Sequence, residues 1–258
     1  MDRVKEIIAL YENNVRDYGD ASGDLSVKHV LTNETVIRRQ LDIFNIYKEY
    51  LKDKNRFLDW GCKHAVDAYL IRKYLSDEVE IHGCDVTEER YGILYKEANL
   101  IYSRLTHPYK LPYNDKYFDV VISSGVLEHV PNDYESLKEL YRIINNDGYL
   151  IITFLPNKLS YTESLNRLLN NRGHRRKYYL REIKKSLLHT GFVPITWGYH
   201  QVAPSLSSWS SSSEVGKIRR FKPLLSKIYD LNKYAEKVWP FNKIAANIFV
   251  IGQKKSSI

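Results

Sequence analysis

The feature that most constrains the fold of this chain is a change of texture at Arg56. From there, short apolar runs alternate with amphipathic stretches, the signature of a parallel sheet covered by helices on both faces. Strands are predicted at 56–60, 80–85, 101–105, 118–124, 149–155, 192–198 and 246–253, and helices at 65–75, 87–100, 133–146 and 178–189. The helix at 133–146 carries Tyr134, Leu137, Leu140, Tyr141 and Ile144 on one face. It opens on Asn132, with Glu135 three residues on, a capping-box arrangement. Asp147-Gly148 turns the chain into the next strand, and Gly191 ends the helix at 178–189. The expected class is therefore α/β, with a mainly parallel seven-stranded sheet flanked by helices.

Two regions fall outside that rhythm. Residues 1–54 hold two helical patterns, one through Val4, Ile7, Ile8, Leu10 and Val15 and one starting near Thr32-Asn33, and are expected to form an N-terminal helical cap. Residues 204–243 begin with a serine-rich stretch around Trp209 that reads as a mobile loop and continue as a helical insertion placed to act as a lid. The core is then 55–203 together with 244–258. With 258 residues and 43% hydrophobic content, the chain has enough apolar side chains for one such core plus its decorations.

The chemistry is concentrated at strand ends. Phe57-Leu58-Asp59-Trp60-Gly61-Cys62-Lys63-His64-Ala65 is an apolar strand that ends in an acid and a glycine and turns directly into a helix. In an open α/β sheet that turn lies where ligands bind, at the carboxyl end of a strand. Gly61 lets the backbone approach a ligand, and helix N-terminal amides face it. Asp85 ends the next strand, where a carboxylate can accept both hydroxyls of a ribose; it can equally cap the helix beginning near Thr87. The third block runs from Leu111-Pro112 through Phe118-Asp119-Val120-Val121-Ile122-Ser123-Ser124-Gly125 to Glu128-His129-Val130-Pro131.

Together with the turn and strand Asn145-Asn146-Asp147-Gly148-Tyr149-Leu150, these segments resemble the class I S-adenosylmethionine-dependent methyltransferases over roughly residues 55–155. The resemblance implies a Rossmann-like fold and S-adenosyl-L-methionine as cofactor. It places Asp59, Gly61 and Cys62 at the methionine end, Asp85 on the ribose, and Ser123, Ser124 and Gly125 beside the methionyl portion and the transferred methyl group. Relatives often set an acid against the adenine amine just before the third block. Here that stretch is Ser103-Arg104-Leu105-Thr106-His107-Pro108, so backbone groups near Leu105 are expected to replace the acid, with Val86 packing on the ring. The first motif departs from the family pattern Asp-x-Gly-x-Gly: Lys63 and His64 stand where later glycines are expected. Either the turn survives with altered torsions, or the chain is a binding protein that has lost the cofactor.

His129, just past the fourth strand, is the candidate catalytic base, the alternative being that Glu128-His129 only packs the turn. Tyr161, His174 and Arg175 follow the fifth strand, where such enzymes often contact substrate, and Glu128 and Tyr18 complete the expected substrate side. Arg175, Arg176 and Lys177 either bind a phosphate or are simply solvated. No His/Asp/Glu cluster has metal-ligand spacing along the sequence, so no metal is expected. A nicotinamide dehydrogenase is excluded by the missing G-x-G-x-x-G turn. The net charge of +8 suits an anionic partner, but its basic clusters are short and separate, which argues against nucleic acid. The expected acceptor is a small anionic or sugar-type molecule such as a phosphorylated or nucleotide-linked sugar. A loose similarity of residues 156–179 to methyltransferases of surface-polysaccharide pathways points the same way. RNA or another macromolecule is the alternative. The charged first residues lack a signal-peptide core, no apolar run approaches the ~18–20 residues of a membrane span, and the two cysteines, Cys62 and Cys84, have no metal spacing; a cytoplasmic protein is expected.

Overall fold

A computed structural model describes residues 3–18, 34–75, 78–87, 92–162, 164, 174–202 and 232–255. The elements run α1 (Arg3–Tyr18), α2 (Glu34–Tyr47), β1 (Arg56–Trp60), α3 (Val66–Tyr74), β2 (Glu80–Asp85), α4 (Gly92–Ala98), β3 (Ile101–Arg104), β4 (Phe118–Ser124), α5 (Asp133–Ile143), β5 (Ile144–Pro156), α6 (Leu180–His189), β6 (Phe192–His200), α7 (Asn232–Ala235) and β7 (Asn247–Lys254). They build one seven-stranded sheet in the order β3-β2-β1-β4-β5-β7-β6. β1 pairs in parallel with β2 and β4, and β7 runs antiparallel between β5 and β6. The chain leaves β1 toward β2 and β3, then crosses back to β4 on β1's other side. That reversal opens a crevice at the carboxyl ends of β1 and β4.

Both faces of the sheet are covered, as the near-continuous apolar strands require. Successive strand residues point to opposite faces. Phe57, Val120, Ile122, Ile151 and Ile251 join one buried cluster, and Leu58, Val121, Leu150, Ile152 and Val250 join the other. The second cluster is closed by Leu137 and Leu140 of α5 and by Ile183 and Leu187 of α6. The first is closed by α3 and α4 and also by Val4 and Ile7 of α1 and Ile37, Phe44 and Tyr47 of α2. α1 packs on α4, and α2 on α3. The N-terminal helices are thus an outer layer of the sheet's face, and residues 19–33 between them lie outside the described residues, as do 204–231 of the expected insertion.

Asn132 caps α5 as expected, accepting from the amides of Tyr134 at 3.1 Å and Glu135 at 3.3 Å. Glu135 turns its carboxylate to Lys138. The helix is shorter than its periodicity predicts, because Ile144 is extended and pairs with Phe118 of β4. Lys254 of β7 supplies the tertiary reason: its buried ammonium donates to the carbonyls of Tyr141 at 2.6 Å and Ile144 at 2.7 Å, taking up orphan acceptors of the helix end. Gly191 follows α6 at φ +95, and a Cβ there would come within 2.6 Å of the Tyr141 ring.

Candidate functional site

The turn after β1 forms the floor of the crevice. Gly61 has φ +72 and donates its N–H to the Cys84 carbonyl at 2.7 Å. A Cβ on Gly61 would meet Val126 at 2.4 Å, so the loop after β4 closes down on a bare backbone. The torsions that glycines usually supply next are adopted by Lys63 at φ +24 and Ala65 at φ +53. This corrects the expectation for His64, which is not at positive φ; the position needing backbone freedom is Ala65. Tertiary bonds hold the turn in this shape: Lys63 N–H donates to Asp85 at 3.1 Å, Tyr95 hydroxyl to the Lys63 carbonyl at 3.1 Å, and Ala65 N–H to the Cys62 carbonyl at 2.5 Å.

Asp85 sits at the tip of β2 beside that turn. Its other oxygen accepts from the N–H and hydroxyl of Thr87, each at 3.2 Å. The helix expected to begin near Thr87 runs Gly92–Ala98, so these bonds form a local turn and not a helix cap; they orient a carboxylate that remains partly exposed. Val86 is 67% exposed next to it, available as an apolar face. The Leu105 N–H already donates to the Asp85 carbonyl at 2.7 Å, so Leu105 can offer an adenine only its carbonyl and side chain.

Beneath the turn lies a group of buried acids that sequence reasoning missed in part. Asp59 is 2% exposed and accepts from the Ala68 N–H at 3.3 Å. Burial, then the charge of Asp67, push its carboxyl well above the usual carboxylate range. Asp67, also buried, accepts from the Gln40 amide at 2.7 Å and from the Tyr47 hydroxyl, both on α2. Burial raises Asp67 too, against the lowering effect of the Tyr47, Ser124 and Gln40 hydrogen bonds. In the sequence Asp67 looks like an ordinary acid in the first turn of a helix. Nothing local signals that α2 covers it. Cys62 and Cys84 are buried, and desolvation pushes both thiols up.

Across the crevice, β4 ends in Ser123 and Ser124. The Thr153 hydroxyl lies 3.1 Å from Ser124 Oγ, and Gly125, at φ +66, donates its N–H to the Thr153 carbonyl at 3.0 Å. Ser123 is 1% exposed and its Oγ has no hydrogen-bond partner among the described residues. A buried hydroxyl left over at this strand end, two positive-φ glycines and an oriented carboxylate at the neighbouring strand tip fit a nucleoside-bearing ligand lying across β1 and β4.

The loop after β4 brings Glu128 and His129 to the rim. The Glu128 side chain is 2% exposed and His129 66%, with Oε1 and Nε2 3.8 Å apart. The His129 ring centroid is 5.9 Å from that of His174. Partial desolvation, then the cationic sides of His174 and Lys63, hold His129 below the usual imidazole value, which favours the neutral form. The ligand atoms of Glu128, His129 and His174 all lie within 4.8 Å of one another. This corrects the reading that no metal-type cluster exists: the spacing is absent along the chain and is created by folding. Arg176 is not available as a phosphate ligand, because its guanidinium donates to the carbonyls of Leu127, Val130 and Pro131. Arg175 is exposed. The Tyr161 hydroxyl donates to the Val202 carbonyl at 2.7 Å, tying the segment after β5 to the end of β6. Tyr18 ends α1, and its side chain and that of Trp209 lie outside the described residues.

Comparisons with known proteins agree with this geometry. A family model described as "Methyltransferase domain" matches residues 58–152. The arsenite methyltransferase of Mus musculus is 23% identical over 43% of this chain and 33% of its own length. An uncharacterized methyltransferase of Schizosaccharomyces pombe is 32% identical over 40% of each chain. The chain thus spans between a third and two fifths of these two curated relatives. Among solved structures, a SAM-dependent methyltransferase from Archaeoglobus fulgidus shares the fold with a TM-score of 0.57 and 22% identity, covering 84% of this chain and 94% of that one. Among the described residues no helix is long and apolar enough to cross a membrane.

Proposed function

We propose that this chain, which matches a methyltransferase-domain family over residues 58–152, is a class I S-adenosylmethionine-dependent methyltransferase that transfers the methyl group of S-adenosyl-L-methionine to an oxygen of a small anionic or sugar-type acceptor. The observation that carries the cofactor half is Asp85, held by the Lys63 and Thr87 amides at the tip of β2 beside the Gly61 turn. Asp85 would accept the ribose hydroxyls, Gly61, Cys62 and Asp59 would underlie the methionine end, Ser123, Ser124 and Gly125 would face the methyl group, and Val86 with Leu105 would pack the adenine.

The bound cofactor supplies a sulfonium carbon that is already electrophilic. The protein's task is to hold a nucleophile in line with it and to keep water away. His129, exposed on the crevice rim and held below the usual imidazole value, is placed to take the proton of an acceptor hydroxyl. Glu128 and His174, which lie beside His129, would line the acceptor side, with Arg175 and Tyr161 as further contacts. The excess of basic residues, net +8, favours a phosphorylated or nucleotide-linked sugar, such as a surface-polysaccharide precursor. Trivalent arsenic, the acceptor named for the mouse relative, is a poor fit, since a soft centre wants accessible thiolates and both cysteines here are buried with raised thiols.

Calorimetric titration with S-adenosylhomocysteine tests the reading. Wild type should bind, and Asp85→Ala should weaken binding about ten- to a hundredfold, as loss of charge-assisted hydrogen bonds predicts. Failure of a folded wild type to bind would end the methyltransferase reading. A methyl-transfer screen over nucleotide sugars, phosphorylated sugars and short RNAs then decides the acceptor class. Binding without transfer to any of them would mark a cofactor-binding protein.

A further inference from the structure

We propose that Glu128, His129 and His174 form a binding site for a divalent first-row transition cation on the acceptor side of the crevice. The three ligand atoms lie within 4.8 Å of one another. The Glu128 and His129 atoms are 3.8 Å apart. Ligands at about 2.0–2.2 Å from a four-coordinate ion stand roughly 3.3–3.6 Å from each other. The observed cluster therefore needs a contraction of about 1 Å onto the ion, and both imidazoles sit on exposed side chains.

The site is built, not accidental. The Glu128 carboxylate is 2% exposed and so fixes one corner rigidly. The two histidines come from segments that the fold clamps together. Arg176 spans from the 174–178 segment to the Val130 carbonyl at 2.8 Å and the Pro131 carbonyl at 3.1 Å. The Tyr178 hydroxyl lies 3.2 Å from the Leu127 carbonyl and 3.0 Å from the Asp133 carboxylate. Asn157 and Tyr178 form a parallel bridge that anchors the same segment to the end of β5. Such outer bonds, placed around the ligands, are what hold a metal site in shape.

Two imidazoles and one carboxylate select Zn²⁺, Co²⁺, Fe²⁺ or Mn²⁺ over Ca²⁺ and Mg²⁺, which take all-oxygen shells. Three protein ligands on one side leave coordination positions open, the arrangement of sites that act on a bound molecule. Lys63 also faces His129, but it is exposed and its repulsion is screened. What the ion would do rests on the function proposed above. An acceptor hydroxyl or phosphate oxygen would enter an open position. A coordinated hydroxyl would release its proton to solvent water, and the oxygen would then form its bond to the methyl carbon as the carbon–sulfur bond breaks. In the metal-free protein His129 takes that proton; with the ion bound, the same ring is a ligand.

The test uses the full chain stripped with a chelator and titrated with Co²⁺ and Zn²⁺. One equivalent of Co²⁺ should give the visible absorption of a nitrogen–oxygen site and be displaced by Zn²⁺. His174→Ala and His129→Ala, both at exposed positions, should each weaken Co²⁺ binding at least tenfold while keeping the wild-type circular dichroism. Asp85→Ala should bind Co²⁺ normally while binding S-adenosylhomocysteine about ten- to a hundredfold more weakly. A protein that binds S-adenosylhomocysteine but shows no stoichiometric Co²⁺ signal, or a signal unchanged by His174→Ala, overturns the metal site and leaves the methyltransferase reading standing.

Discussion

Replacing Lys63 by glycine tests whether the degenerate turn after β1 is a strained version of a glycine turn. Lys63 holds φ +24 on an exposed side chain. Left-handed backbone costs an L-residue about 1–2 kcal/mol. Glycine removes that strain but gains unfolded-state freedom worth about 0.4–1 kcal/mol. The Lys63→Gly protein should therefore be more stable by about 0.5–1 kcal/mol, a rise of roughly 2–3 °C in Tm for a chain of this length. Ala65 gives the internal control. It too is left-handed, at φ +53, but its methyl is 0% exposed. Removing it forfeits about 0.8 kcal/mol of burial, which cancels the net gain, so Ala65→Gly should sit near zero. Urea unfolding at constant m-value measures both. The Asp85 contact uses the residue-63 amide and survives the change, so S-adenosylhomocysteine affinity should hold or improve. A Lys63→Gly protein less stable than wild type, or one matched by Ala65→Gly, would refute the argument.

The buried carboxyl of Asp59 has a folded value raised above its unfolded one, so its ionisation opposes folding. The stability it contributes is greatest when it is protonated and declines as pH rises from the ordinary value of 3.8 through the raised folded value. The stability of wild type relative to Asp59→Asn should fall as pH rises above the ordinary carboxylate value of 3.8 in urea titrations, and a difference that stays flat with pH would contradict the assignment. Cys62 and Cys84 are buried with raised thiols, so a water-soluble disulfide reagent should label neither in the native protein and both at the rate of unfolding; rapid native labelling would show an open turn.

Periodicity made the strands and the reversal-prone α/β pattern readable, because the five inner strands are buried on both faces and the helices on one, leaving regular traces in the sequence. Gly61 and Gly125 were readable as turn residues, since both take positive φ just past the ends of β1 and β4, a conformation that favours glycine. The end of α5 was not readable, since Ile144 continues the helical spacing and only Lys254, from the last strand, takes up the carbonyls that let the helix stop there. Arg176 was misjudged because a basic run has the same composition whether it meets a phosphate or braces three carbonyls.

The sequence by itself thus determined the sheet and the order of its chemical strand ends, both set by local pattern. Only the tertiary structure decided how a turn with lysine and alanine in place of glycines keeps its shape, through Asp85 and Tyr95. It also decided that α2 seals Asp67 with Gln40 and Tyr47, and that His174 stands beside Glu128 and His129. Those arrangements join residues far apart along the chain, and such pairings are fixed by packing of whole elements, which no local spacing encodes.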